Sequence, residues 1–196
     1  MGFPSYFHKG TIMYANPARS FLMALAILLS ALIALPAAAE STAELDRASQ
    51  AALNRLLAKV SAARALNAKA IAVLVFPSIT KAGLVVGGQY GEGVLWRDGK
   101  AVGHYSTAGA SYGLQAGAQK YGYAMFFMNE KALQALDANE GFEVGIGPSI
   151  VVIDEGMGKS HTTTTMQDDI YAFIFSQKGL MAGIGLQGNK ISKLNK

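Results

Sequence analysis

Two short segments carry residue types that could do chemistry. Gly156-Met157-Gly158-Lys159-Ser160 has the glycines, lysine and hydroxyl that close a phosphate-binding P-loop, and it follows an apolar run. Such a loop works because backbone N–H groups, the lysine and the start of the next helix all face the phosphates. The motif also needs a glycine where Ile153 stands. His161 and four threonines follow it, a β-type run and not a helix. The second segment, Gly109-Ala110-Ser111-Tyr112-Gly113, matches G-x-S-x-G, with Asp154 and His161 following in hydrolase order. A nucleophile elbow needs a strand turning into a helix, and Gly113, Gly117 and Gly122 are poor helix formers. Ser111 therefore reads as a small hydroxyl in a packed strand. His104 and His161 stand apart, Asp154-Glu155 and Asp168-Asp169 read as solvated turns, and no set has metal-ligand spacing. Cysteine is absent. We expect no enzyme, no metal and no cofactor.

The cations are more informative than the would-be nucleophiles. From Arg47 to Gly91 there are six basic residues and no acid. Overlapping its start, Leu45, Leu53, Leu56, Leu57 and Val60 fall on one arc at 100° per residue, so an amphipathic helix is expected. Ser41 to Glu44 has capping-box spacing at its start. Ser49 shares the apolar arc, where a hydroxyl can bond its own helix backbone. Arg64 would intrude on the arc, so the helix should bend, end or become exposed there. Two fates are open to such a helix. It can lie in a headgroup plane, with Arg55, Lys59, Lys69 and Lys81 touching anionic lipid and Leu53, Leu56 and Leu57 inserting. It can equally pack its arc on a sheet.

Glycine-bearing strands must supply that sheet. Ala70 to Phe76 reads as a buried strand stopped by Pro77-Ser78. Residues 82 to 96 read as a strand in which Gly83, Gly87, Gly91 and Gly93 share one side and Gly88 the other. Glycines on one parity let a neighbouring backbone or ring approach closely and let strands coil, so Gly87, Gly91 and Gly93 are assigned a structural role. Asp98-Gly99 is a hairpin turn signal. Ala101 to Met128 should hold two or three strands. Asn129 should cap a short helix to about Asp137. Strands are expected at 142–147, 149–153, 170–175 and 180–186, the last two as a hairpin about Gln177-Lys178-Gly179, with Thr162 to Met166 as an exposed edge. The fold class is α+β: a mostly antiparallel, strongly curved, barrel- or sandwich-like sheet with an N-terminal amphipathic helix and one short internal helix.

Phe21 to Leu35 is an uncharged apolar run, preceded by Lys9 and Arg19 and followed by Pro36 and Ala37-Ala38-Ala39. This is the pattern of a secretory signal peptide over residues 1–39, leaving one domain over 40–196. Removing Lys9 and Arg19 leaves 15 basic against 13 acidic residues, a net charge of +2 that does not argue for nucleic acid. Export without disulfides fits a bacterial periplasm.

Several blocks together resemble the SYLF-domain family, also described as actin-regulator-like or Las17-binding-type. They are Ala72 to Ser78, Lys81-Ala82-Gly83, Gly87 to Val94, Ser111 to Gln119, Gly147-Pro148, Ile170 to Phe173 and Ser176 to Gly183. The resemblance implies a non-catalytic lipid-binding module; eukaryotic members bind phosphoinositide membranes and some bind actin. A periplasm holds no actin, which leaves anionic phospholipid at a membrane surface as the expected partner. The alternative partner is an envelope protein paired through the edge near Thr162 to Thr165.

Overall fold

A computed structural model describes residues 41–83, 86–112, 117–138, 142–144, 148–154, 167–179 and 189–195. The leader expected over 1–39, the P-loop-like segment, His161, the Thr162 to Thr165 edge and the strand expected at 180–186 all lie outside the described residues. The described chain is α+β. Three helices, α1 (Thr42–Lys59), α2 (Ser61–Asn67) and α3 (Glu130–Leu136), accompany a curled half-barrel sheet. Its strands are β1 (Ala72–Gly83), β2 (Val86–Arg97), β3 (Lys100–Tyr112), β4 (Gly117–Phe127), β5 (Phe142–Glu143), β6 (Ile150–Asp154), β7 (Ile170–Gly179) and β8 (Lys190–Leu194). The spatial order is β5-β8-β3-β2-β1-β4-β7-β6, antiparallel throughout except for the parallel pair β6–β7.

Two of the three helix starts follow from local chemistry. Ser41 caps α1, its hydroxyl oxygen accepting from the Glu44 N–H, and the Asn129 side chain accepts from the Ala132 N–H at the start of α3. The first helix ends before Arg64, and Arg64 explains why. Its guanidinium donates to the Leu57 and Ala58 carbonyls at 2.8 and 3.1 Å, satisfying the open end of α1 while the chain restarts as α2. Ser49 bonds the sheet rather than its own helix. Its hydroxyl donates to the Val75 carbonyl at 3.3 Å and accepts from Trp96 Nε1 at 2.9 Å, bridging α1 to β1 and β2.

Two apolar clusters sandwich the sheet. On the helix face, Leu53, Leu56, Val60 and Leu66 pack against Val73, Val75, Phe126, Phe173 and Phe175. On the opposite face, Leu74, Phe76, Ile79, Tyr123, Met125 and Phe127 meet Ala132 and Leu136 of α3.

Three strand expectations are corrected. Pro77 does not stop β1. It has no ladder partner on either side, because β1 bulges there against both neighbours. A bulge is where a residue without an N–H is tolerated inside a sheet. Second, 82–96 is not one strand but the closing end of β1 and the length of β2, with Gly83 opposite Gly87. The four glycines still share a side, since directly opposed residues face the same way. Third, β7 runs on to Gly179 rather than turning at Gln177, with Ser176 at φ +54°. The Asp98-Gly99 turn does form, both residues having positive φ (+51° and +72°), as a two-residue hairpin of the primed type requires.

Asp169 is more than a solvated turn. Its carboxylate accepts from Asn129 Nδ2 at 2.8 Å and from the Ser149 N–H at 3.1 Å, tying the α3 cap to the entry of β6. The Asn129 bond, then the Ser149 bond, hold its pKa below the ordinary carboxyl value. The stabilisation is thus complete above the unfolded-state pKa of about 3.9 and is lost as pH falls through the lower folded value. Thermal melts across pH 2–7 should show a steeper acid loss of Tm for the natural protein than for Asp169→Asn.

Candidate functional site

The residues expected to touch lipid separate into two groups. Arg55, Lys59 and Lys69 are exposed, whereas Lys81 is 3% exposed. Lys81 lies on the opposite face, in register with Gln89 and Gln119, which are also buried. That row is polar inside. The Tyr121 hydroxyl donates to Gln89 Oε1 at 2.7 Å, and Gln89 Nε2 donates to Asn189 Oδ1 at 2.6 Å. As folded, Lys81 is therefore not presented to a headgroup. Leu53 and Leu56 are 6% and 1% exposed in the helix-face cluster, with Leu57 partly buried against it. Of the two fates open to α1, the structure shows packing on the sheet. Insertion of these leucines would require α1 to leave it.

The glycines divide as well. A Cβ at Gly91 would stand 2.8 Å from Ile79 Cγ1, and one at Gly93 2.7 Å from the Val75 carbonyl oxygen. These two positions serve close packing. Gly87 pairs with Gly83 and with Ser111. Ser111 lies within β3, not at a strand-to-helix elbow, which removes the context a hydrolase nucleophile needs. Among the described residues no group of three or more His, Cys, Asp or Glu side chains could hold a metal ion.

Two features emerge that sequence reading did not single out. Past Ser78 the helix face of the sheet is uncovered. One row across it is Ala110, Gly88, Ala82 and Ala118; the next is Lys190, Ala108, Tyr90, Thr80, Lys120 and Lys178. All ten are exposed, Tyr90 at 52%. The result is a strip of small side chains and one aromatic ring with cations at both ends. Glu143 pairs with Lys190 beyond one end.

The second feature is a cleft of about 370 Å³ at the other end, lined by Arg55, Pro77, Ser78, Lys120, Gly122 and Lys178, with Tyr121 and Ser176. Another cleft, about 350 Å³ between α1, α2 and β2, carries amides, Trp96 and Asp98 but no cation among its described lining residues. Charge sets the two apart. The signal for the strip was present in β-strand parity, since Ala118 and Lys120 alternate with Gln119 and Tyr121. Which strands lie side by side was not legible from one sequence.

A curled, mostly antiparallel sheet, part-covered by helices, thus presents a cation-rimmed strip on its uncovered face. Residues 108–196 match the Ysc84 family model, described as Las17-binding protein actin regulator. The resemblance carried by the sequence blocks is thereby shown over that segment, which spans β4 to β8 and most of β3's second half. No curated protein matches the chain.

Proposed function

We propose that this protein is an exported, non-catalytic module that binds anionic phospholipid at a membrane surface, from a periplasmic compartment. One observation carries the proposal: the exposed strip on the helix face, in which Ala82, Gly88, Ala108, Ala110, Ala118 and Tyr90 lie between Lys190 and the Lys120–Lys178 pair. A surface of small side chains can sit close to headgroups, an aromatic ring suits the interface, and each nearby Lys or Arg adds about 1 kcal/mol at an anionic surface. Arg55 and Lys59 on α1 and Lys69 in the turn after α2 add further exposed cations. The mode is adsorption through the sheet and surface cations, with Leu53 and Leu56 kept in the core. Among the described residues no helix is long and apolar enough to cross a membrane, which fits peripheral contact.

Cosedimentation with vesicles tests this. Binding to phosphatidylglycerol or cardiolipin vesicles is expected at low salt, with a fall of at least tenfold between 50 and 300 mM NaCl and little binding to phosphatidylcholine, because screening shortens with ionic strength to about 10 Å near 0.1 M. Absence of binding in dilute buffer, or binding indifferent to salt, rejects the reading.

A further inference from the structure

Three cations from three elements converge on the 370 Å³ cleft: Arg55 from α1, Lys120 from β4 and Lys178 from β7. Lys120 and Lys178 are direct cross-strand partners, so their side chains leave the same face side by side. Like charges placed directly opposite destabilise a sheet. No ion pair relieves Arg55, Lys120 or Lys178 among the described residues. Glu92, the register partner of Ser78, accepts from the Tyr90 hydroxyl at 2.9 Å and does not line the cleft.

The backbone is irregular at this same place in three strands. Pro77 and Ser78 bulge opposite Gly122, and Ser176 and Gln177 bulge opposite Tyr121. Ser176 has φ +54°, uncommon for a residue with a side chain and concentrated at functional sites. Bulges bend a strand and re-aim its side chains, and here they coincide with the cleft. The floor is tight: a Cβ at Gly122 would lie 2.3 Å from the Phe175 ring. A concave site with three cations, two hydroxyls and no acid among its described lining residues is built for an oxyanion.

We infer that this cleft is a phosphate site, in which Arg55, Lys120 and Lys178 hold the phosphate oxygens and the Ser78 and Ser176 hydroxyls stand at the rim. The inference rests on the membrane-surface reading for its lipid source and gives that reading one stereochemically defined contact. A phospholipid headgroup and a free phosphate ester share the chemistry, and the test separates them.

The purified full-length protein would be titrated with glycerol 3-phosphate and with inorganic phosphate, following amide shifts in ¹H–¹⁵N spectra. In parallel, vesicles of phosphatidic acid or phosphatidylglycerol would be cosedimented. The variants are Lys120→Gln/Lys178→Gln and an equal change of charge elsewhere, Lys100→Gln/Lys131→Gln. Saturable shifts at Ser78, Gly122 and Ser176 to Lys178 are expected, lost at least tenfold in the cleft variant and kept in the control. Phosphate should raise the Tm of the natural protein. The cleft variant should match or exceed the phosphate-free natural Tm, because an opposed pair of like charges has been removed, and should not respond to phosphate. If vesicle binding also falls at least tenfold more in the cleft variant than in the control, the source is lipid. If soluble phosphate binds in the cleft but vesicle binding falls equally in both variants, the site stands and its source is free phosphate. Unsaturable shifts together with equal losses in both variants overturn the cleft while leaving the membrane reading intact. Failure of all vesicle binding overturns that reading alone when the soluble titration still saturates, and both ideas when it does not.

Discussion

Leu56→Ala should lower the unfolding free energy by about 2–5 kcal/mol, the range for emptying a packed leucine site. Leu56 is 1% exposed and belongs to the cluster that joins α1 to Val75, Phe126 and Phe173. The residue therefore discriminates between the two fates of the amphipathic helix. If its side chain served a membrane, truncation would leave the free protein's stability almost unchanged and weaken vesicle binding. If it packs on the sheet, denaturant melts shift strongly, and vesicle binding measured well below the midpoint stays as it was. Arg55→Gln should behave in the opposite way, since Arg55 is exposed and lies off the apolar arc. A Leu56→Ala protein that unfolds at the natural denaturant midpoint would refute the packing assignment.

The same helix shows how far the sequence could be read. The arc, its cap at Ser41 and the disturbance at Arg64 were all legible, because each depends on spacing along one element. What the arc faces was not legible, because a leucine stripe has the same period against lipid as against β1 and β4. The Asn129 cap and the Asp98-Gly99 turn were legible for the same local reason. Pro77 was misleading. Its missing N–H is a local property, but whether the chain ends or bulges there depends on β2 and β4 lying on either side. Lys120 and Lys178 stand 58 positions apart in sequence, and only the pairing of β4 with β7 makes them one cationic site. Lys81 failed in the reverse sense. It counted as one more cation in an acid-free run, yet strand parity turns it to the buried polar row with Gln89 and Gln119.

Gly93→Ala should destabilise the fold by about 1–3 kcal/mol or more, the cost of forcing extra volume into a packed sheet, while Gly88→Ala, five positions earlier in the same strand, should be neutral or slightly stabilising. The two differ in what lies beneath them. A Cβ at Gly93 would meet the Phe76 ring at 2.6 Å and the Val75 carbonyl at 2.7 Å, and backbone cannot swing aside as a flexible side-chain tip can. A Cβ at Gly88 would find only the Gly109 carbonyl, at 3.9 Å. The cause of the crowding is Pro77. Between Val75 and Ser78, Phe76 and Pro77 of β1 oppose the single residue Gly93 of β2, so the bulge pushes β1 against β2 at that position. On the other flank Pro77 and Ser78 oppose Gly122 of β4, where a Cβ would strike the Phe175 ring at 2.3 Å. The bulge at Pro77 thus coincides with a glycine on each neighbouring strand, Gly93 crowded by β1 itself and Gly122 by the Phe175 ring of β7. Exposed Gly88 is not crowded in this way, and alanine there recovers about 0.5–1 kcal/mol of backbone entropy. Urea unfolding of the two single variants decides the matter: equal effects at both positions would show that these glycines act through chain flexibility and not through close approach.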